Sequence, residues 1–251
     1  MSYFSYLKEY LFPSGCGACG EALLEPEDAW FGLCAGCRAY LSTAFAEEKR
    51  CDLCGKPLIS EKTTCISCRT NEAADTNPCN KRIAKLNAIF PYSGKFRSVL
   101  GAYKFNKSLG VGNFLVRSLT TAIGDLIVKS NEDFSEAALV PVPPRPRKIK
   151  AQGWDQVEYL AGLLDKEYKR ATIGIPVYRC LKRLSSKSQK ELNREERICN
   201  LSKRILCVKP PPGIAVLFDD VITTGATLDA CAEALLEKGV IKVYGVCLFY
   251  D

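Results

Sequence analysis

The stretch that most constrains the fold lies near the C-terminus. Ile214–Phe218 is a short apolar run suited to a strand that is covered on both faces. Ala226–Glu237 has the composition of a helix, and Gly239 follows it as a stop signal. Ile241–Tyr250 is a second β-rich run. Because parallel strands need a crossover connection, this strand–helix–strand order predicts an α/β domain with a parallel sheet.

Two adjacent carboxylates and a turn of small residues lie between the first strand and the helix. Asp219 and Asp220 follow the strand, and the turn reads Thr223-Thr224-Gly225-Ala226-Thr227. Its backbone N–H groups, its hydroxyls and the helix N-terminus form an anion cradle, and Gly225 permits close approach or a positive φ. Two carboxylates beside a phosphate indicate sugar hydroxyls or Mg²⁺ as their ligands. A ribose 5-phosphate meets both requirements, whereas an N-cap explains one Asp or Thr but not the whole run.

This stretch resembles the phosphoribosyl-pyrophosphate (PRPP) signature of type I phosphoribosyltransferases, and it is not a Walker A loop. The resemblance implies a parallel sheet flanked by helices, with the acidic pair on the ribose hydroxyls, the 5-phosphate on the loop, and Mg²⁺ bound with PRPP. The PRPP-binding residues it implies are Asp219, Asp220, Val221, Thr223, Thr224, Gly225, Ala226 and Thr227.

Eight of the 14 cysteines form four C-x-x-C pairs near the N-terminus. The pairs are Cys16/Cys19, Cys34/Cys37, Cys51/Cys54 and Cys65/Cys68. Their spacing is typical of tetrahedral Cys₄ zinc sites, and a reducing cytoplasm disfavours disulfides. We predict two structural zinc sites. Consecutive pairing is the simplest arrangement and interleaved pairing stays open, as do iron–sulfur clusters and a redox dithiol.

Length and charge indicate two domains. Residues 1–78 carry 7 Lys/Arg and 11 Asp/Glu, whereas the remaining residues carry 28 and 17. We predict a small double zinc-ribbon domain over residues 1–78 and a phosphoribosyltransferase-like domain over residues 79–251, with Thr70–Lys81 as the linker. The positive excess of the larger domain indicates an acidic partner, phosphate or nucleic acid. The chain contains no histidine, so a metal site must use Cys, Asp or Glu.

The sequence predicts a cytoplasmic protein without a membrane span. No uninterrupted apolar run reaches the roughly 18 residues that a membrane helix needs. Residues 1–13 mix aromatic side chains with Lys8 and Glu9 and lack the apolar region and cleavage site of a signal peptide.

A Pro-rich basic loop follows the predicted strand Ala137–Val142. It extends to Gln156 and carries Arg145, Arg147 and Lys148. Ligands of open α/β sheets bind at the carboxyl ends of parallel strands, and guanidinium groups suit phosphates. Arg145 is therefore a candidate ligand of PRPP. A basic surface loop is the alternative interpretation.

The order of these motifs resembles the ComF (competence protein F) family. That family combines an N-terminal cysteine-rich zinc module, a Val-Pro-Val-Pro strand end followed by Arg, an Arg-Gly-Phe-Asn-Gln-like motif and the PRPP loop. This sequence has Gln152, Trp154 and Asp155 where the motif has Arg, Phe and Asn, so one cation for pyrophosphate is missing. The segment Leu181–Asn200 resembles a family segment that corresponds to a mobile hood over PRPP in type I phosphoribosyltransferases.

The resemblance implies a PRPP-binding protein of competence, with single-stranded DNA and DNA-uptake proteins as partners. Val142–Arg204 carries 16 Lys/Arg and 7 Asp/Glu, which predicts a positive field at the ligand edge of the sheet. Asp219, Asp220 and Arg145 would be the catalytic residues of a ribosyl transfer, but no acceptor motif is found. Two alternatives stay open: an active phosphoribosyltransferase on an unidentified small acceptor, and a zinc-bearing DNA-binding module without catalysis.

Overall fold

The computed structural model describes residues 14–46, 49–58, 63–69, 82–170, 174–184 and 204–251. These residues form two compact units, one from residues 1–48 with 90–118 and one from residues 49–89 with 119–251. Each unit contains one of the two cysteine clusters. The predicted linker Thr70–Lys81 lies outside the described residues, so the domain boundary after residue 78 stays a prediction.

Eight helices and six strands are found within the described residues. The helices are α1 (Pro26–Phe31), α2 (Ala35–Ala46), α3 (Ile66–Arg69), α4 (Gly94–Lys104), α5 (Leu109–Ser130), α6 (Pro146–Gln152), α7 (Gln156–Lys169) and α8 (Ala226–Leu236). The strands are β1 (Leu86–Pro91), β2 (Ala138–Pro141), β3 (Leu181–Arg183), β4 (Ile205–Cys207), β5 (Ile214–Ile222) and β6 (Lys242–Tyr250).

A four-stranded sheet has the order β1-β6-β5-β2. Strand β5 is parallel to β2 on one side and to β6 on the other. The predicted unit of strand, helix and parallel strand is thus confirmed as β5, α8 and β6. The predicted α/β class, a parallel sheet flanked by helices together with an N-terminal cysteine-rich region, is confirmed as well.

The two central strands are buried along most of their length, as the continuous apolar runs predict. Helix α8 covers the sheet with Leu228, Cys231 and Leu235, which are spaced three and four residues apart and buried. Helix α7 contributes Leu160 and Leu164 in the same way. Each fully buried leucine stabilises the fold by about 1.5–3 kcal/mol relative to an exposed one. These helices therefore fix the position of the loops that follow β2 and β5.

Strand β5 is longer than the apolar run indicates. It continues through Asp219 and Asp220 to Ile222, because β6 offers pairing partners as far as Tyr250. The acidic pair thus stands on a strand held by neighbouring backbone, not in a loop. Such support limits the freedom of both carboxylates.

The Pro-rich segment after β2 contains a helix where the sequence predicted a loop. Pro146 occupies one of the first positions of α6, where its fixed φ favours a helix and its missing N–H is not needed. Gly153 ends this helix with a φ of 69°. The short antiparallel pair β3–β4 was not predicted either, since three residues show no periodicity.

Strand β1 is joined to the second cysteine cluster within its unit. The Leu86 N–H donates to Leu53 O over 2.7 Å, and the Arg50 guanidinium donates to Ala88 O over 2.8 Å. A Cβ atom added at Gly55 would lie 2.6 Å from the Ala88 nitrogen, so the cluster's turn packs directly on the strand backbone. This cluster is an integral part of the unit that contains the sheet.

Among the described helices, α5 alone has the length and apolar composition to cross a membrane. Half of its apolar window is buried inside the protein, and the core helix of a water-soluble domain meets the same criteria. This is weak evidence for a span, so the predicted absence of one stands as a prediction.

Candidate functional site

The acidic pair and the phosphate-loop candidates lie in continuous order at the end of β5. Asp220 is buried with 6% of its surface exposed, whereas Asp219 is half-buried and its carboxylate accepts the Asp220 N–H over 2.8 Å. Val221 follows as a half-buried strand residue. The two carboxylates therefore differ in their access to solvent, and Asp219 is the more accessible one.

The turn after β5 has the backbone that the sequence predicted. Gly225 has a φ of 76°, a left-handed conformation that a side chain disfavours, and α8 begins at the next residue. Thr223 and Thr224 are exposed, while Ala226 and Thr227 are half-buried in the first turn of the helix. Exposed hydroxyls and the first N–H groups of an eleven-residue helix thus belong to the same short turn, where the Ala226 N–H donates to Thr224 Oγ1 over 3.4 Å.

A glutamine from α7 holds the buried carboxylate. The Gln156 side-chain amide donates to Asp220 Oδ2 over 2.5 Å, and only 5% of the Gln156 surface is exposed. Asp155 fixes the start of this helix, because its carboxylate accepts the N–H groups of Val157 and Glu158. Asp155, which stands where the family motif has Asn, is thus a helix cap, and Asp and Asn are equally good residues for that position. Gln156 belongs to the same motif, and its contact with Asp220 makes it a site residue that sequence reasoning missed.

Arg183 lies within electrostatic reach of Asp219 and of two further arginines. Strand β2 pairs with β5 as far as Phe218, and the Val142 N–H donates to Phe218 O, so the exposed Arg145 leaves the sheet beside the acidic pair. Burial lowers the pKa of Arg183 on β3, and the positive charges of Arg145 and Arg204 lower it further, whereas the Asp219 carboxylate opposes the shift. The arrangement thus brings Arg145 and Arg204 within electrostatic reach of Arg183. An anion placed among them would relieve their repulsion.

Several predicted contributors cannot be located in this site. The side chains of Arg147, Lys148 and Gln152 lie outside the described residues, as does most of the predicted hood, residues 185–203. Of the hood segment, Leu181 and Arg183 are described. Arg183 is a site residue that sequence reasoning did not single out, and its place in the family-like segment was the available signal.

Two cysteines outside the zinc clusters flank the acidic pair. Cys247 is the cross-strand partner of Asp219, and Cys231 lies on α8. Burial raises the pKa of both thiols, and the Asp219 charge raises it further. Both thiols therefore stay neutral at physiological pH, and like the buried Cys180 and Cys207 they act as small hydrophobic residues.

Carboxylates, a helix N-terminus and guanidinium groups are combined at one edge of a parallel sheet. Carboxylate oxygens suit a diol or Mg²⁺, the turn and helix N-terminus suit a phosphate, and the arginines suit a second anionic group. The set thus fits a phosphorylated sugar that carries a further phosphate group. It contains no described nucleophile with an activating base.

The cysteines form two separate clusters by consecutive pairing. The first cluster is Cys16, Cys19, Cys34 and Cys37, and the second is Cys51, Cys54, Cys65 and Cys68. The sulfur atoms of Cys19 and Cys34 are 3.8 Å apart, and those of Cys54 and Cys65 are 3.7 Å apart. Four sulfurs at about 2.3 Å from one zinc ion in a tetrahedron lie about 3.8 Å from each other, so both clusters fit the metal. Interleaved pairing is excluded.

Backbone N–H groups support the thiolates in each cluster. The Cys34 N–H points to Cys16 Sγ at 3.4 Å, and the Cys65 N–H points to Cys51 Sγ at 3.3 Å. Burial raises the pKa of Cys16, but the backbone N–H groups of Cys19, Cys34 and Ala18 outweigh it and lower that pKa to about 6. Four protein ligands would close each site, so zinc bound there would be structural and not catalytic.

Comparison with known families agrees with this description of the N-terminus. The model of the double zinc ribbon domain matches residues 7–69. The match covers all eight cysteines of the two clusters. The two structural zinc sites thus rest on sequence spacing, sulfur geometry and family likeness together.

Characterised relatives align with most of the chain. Competence protein ComFC of Bacillus subtilis is 27% identical over 86% of this chain and 82% of its own length. Competence protein F of Haemophilus influenzae is 26% identical over 86% of this chain and 90% of its own length. DNA utilization protein YhgH of Escherichia coli is 25% identical over 86% of this chain and 96% of its own length. The resemblance seen in the sequence is confirmed: over most of its length this chain is a homologue of the competence F proteins, with a double zinc ribbon at its N-terminus.

Proposed function

We propose that this protein takes part in the handling of incoming single-stranded DNA in the cytoplasm and binds PRPP with Mg²⁺ at the end of β5. The observation that carries the PRPP part is the continuity of Asp219, Asp220 and the turn at Gly225, with Arg145 and Arg183 beside them. The DNA part is supported by the names of the relatives, which denote competence and DNA utilization proteins. Proteins of the DNA-uptake machinery are the expected partners.

In this proposal, different residues bind different parts of PRPP. Asp219 and Asp220 receive the ribose hydroxyls, Thr223–Thr227 receive the 5-phosphate, and the arginines receive the pyrophosphate. Asp219 is the more accessible carboxylate, whereas Gln156 holds Asp220 in place. Mg²⁺ bound with PRPP would neutralise its negative charge, and carboxylate oxygens suit that ion.

Whether a ribosyl group is then transferred is a separate question. For pyrophosphate to depart, the sugar must be held in position and the developing charges must be stabilised, whereas a covalent bond to the protein is not needed. Asp219, Asp220 and Arg145 would supply the positioning and the charge stabilisation. An acceptor would be revealed by PRPP-dependent release of pyrophosphate. Screening small amines and nucleobases for that release distinguishes a working transferase from a binding protein.

Calorimetric titration with PRPP and Mg²⁺ tests the binding claim. We expect saturable binding by the wild-type chain and none by a variant that combines Asp219→Ala with Asp220→Ala, at unchanged zinc content. Asp125→Ala removes a half-buried carboxylate of α5, which pairs with Lys129 over 3.7 Å, and serves as the matched control. Absence of binding at millimolar PRPP in the wild-type chain would reject the PRPP site.

A further inference from the structure

A groove of about 610 Å³ lies within the first unit, between the first cysteine cluster and α4. Gly15, Gly17 and Gly20 line it on the cluster side, and Gly101 and Ala102 line it on the helix side. Its size is that of a small-molecule site. Because its floor is made of backbone and small side chains, a flat ring has room to lie on it.

The helix that forms one side of this groove carries positive charge next to the lining residues. Residues 76–124 contain eight Lys/Arg and no Asp/Glu, and four of these cations, Lys95, Arg97, Lys104 and Lys107, belong to α4 and the turn after it. Arg97 and Lys104 are seven residues apart and so share the helix face of Gly101. On the opposite side, the acidic residue nearest in sequence is the exposed Glu21, whose carboxylate lies 3.7 Å from Cys19 Sγ. A polyanion would therefore run along α4.

Aromatic rings accompany these cations. Phe105 lines the groove with 71% of its surface exposed, an unusual position for a large apolar ring. The Arg97 guanidinium lies over the Tyr92 ring at 5.6 Å, which fixes one cation on the helix surface. Cations combined with an exposed ring are the two elements by which proteins bind single strands, through phosphates and through stacked bases.

We propose that this groove is a docking surface for single-stranded DNA, with one unpaired base against Phe105 and the glycine floor and the phosphates along Arg97, Lys104 and Lys107. The inference deepens the DNA part of the proposed function and rests on it. It places the strand on the first unit, whereas the basic segment Val142–Arg204 belongs to the second. A duplex would not fit, because its bases are stacked on one another and not on a protein ring.

Gly101 provides a sharp test. It stands inside a helix, where glycine is a poor helix former, and none of the described atoms lies within 4 Å of a Cβ atom added there. A longer side chain at this position would fill the groove without a clash. Gly124 inside α5 is a matched control, since it is exposed and equally open.

The experiment measures the fluorescence anisotropy of labelled oligothymidylate at one fixed salt concentration. We expect Gly101→Gln to weaken binding about tenfold or more through loss of base stacking, and Gly124→Gln to bind like the wild-type chain. Both substitutions should leave the folded chain at least as stable, because Gln is the better helix former. Equal binding by Gly101→Gln and the wild-type chain would overturn the groove proposal.

Charge and ring variants complete the test. Phe105→Ala should weaken binding at all salt concentrations, whereas Arg97→Ala with Lys104→Ala should lower the salt dependence of the affinity by about two counterions. All these variants should bind PRPP as the wild-type chain does. If the wild-type chain binds no oligothymidylate, the DNA part of the proposed function fails with the groove. If it binds duplex DNA equally well, base insertion is refuted.

Discussion

The hydrogen bond between Gln156 and Asp220 makes a quantitative prediction about stability. Both side chains are more than nine-tenths buried, and the amide nitrogen lies 2.5 Å from the carboxylate oxygen. A hydrogen bond to a charged group contributes roughly 1.5–3 kcal/mol, and burial raises the cost of losing it. We therefore expect Gln156→Ala to lower the free energy of unfolding by about 2 kcal/mol or more. In a chain of this length that change lowers Tm by roughly 4–8 °C.

A double-mutant cycle isolates this interaction from other effects of the substitutions. Unfolding in urea is measured for the wild-type chain, Gln156→Ala, Asp220→Ala and the double variant, without ligand and with zinc retained. If the bond acts as described, Gln156→Ala costs much less once Asp220 has been replaced, and the coupling energy is about 1.5–3 kcal/mol. Coupling below about 0.5 kcal/mol would refute the reasoning, because independent sites add to within that range.

Three further predictions follow from local geometry. Gly55→Ala should lower the free energy of unfolding by more than about 2 kcal/mol, because its Cβ atom would lie 2.6 Å from the Ala88 nitrogen at a φ of 69°. Gly20→Ala, at a φ of 84° in open space, should lower it by only about 1 kcal/mol. Equal losses in urea titrations would contradict the packing described. Asp155→Ala should lower the free energy of unfolding by about 1 kcal/mol, because the α7 cap is lost, and Asp155→Asn should lower it by less than half of that. A larger loss of stability for the Asn variant than for the Ala variant would disprove the capping role. Elemental analysis should find two zinc ions per chain, and one after either Cys16→Ser or Cys51→Ser, with hydrogen exchange of the sheet amides accelerated only by Cys51→Ser.

The sequence was most informative where local chemistry decides the structure. The apolar runs at Ile214–Phe218 and Ile241–Tyr250 predicted two buried parallel strands, and both were found in register with each other. Gly225 was expected to allow a positive φ and has one. The cysteine spacing predicted two Cys₄ sites, because four thiolates at such spacings meet around one ion without help from distant residues.

What escaped prediction depends on contacts between distant segments. Pairing with β6 extends β5 through Asp219 and Asp220, and the sequence around these residues does not show it. Gln156 and Asp220 are 64 positions apart in the chain, so their hydrogen bond is visible only in the folded protein. Helix α6 escaped prediction because a run of prolines is typical of a loop, although proline at the start of a helix is favourable.

The attachment of the second cysteine cluster to β1 has a consequence for solubility. Strand β1 is at the end of the sheet order, and an uncovered edge strand offers its N–H and C=O groups to the strands of other molecules. Leu53 and Arg50 occupy two of these groups, on Leu86 and Ala88. The second cysteine cluster therefore covers part of this edge, and we expect a chain that cannot hold zinc there to form intermolecular β-structure before it loses its helices.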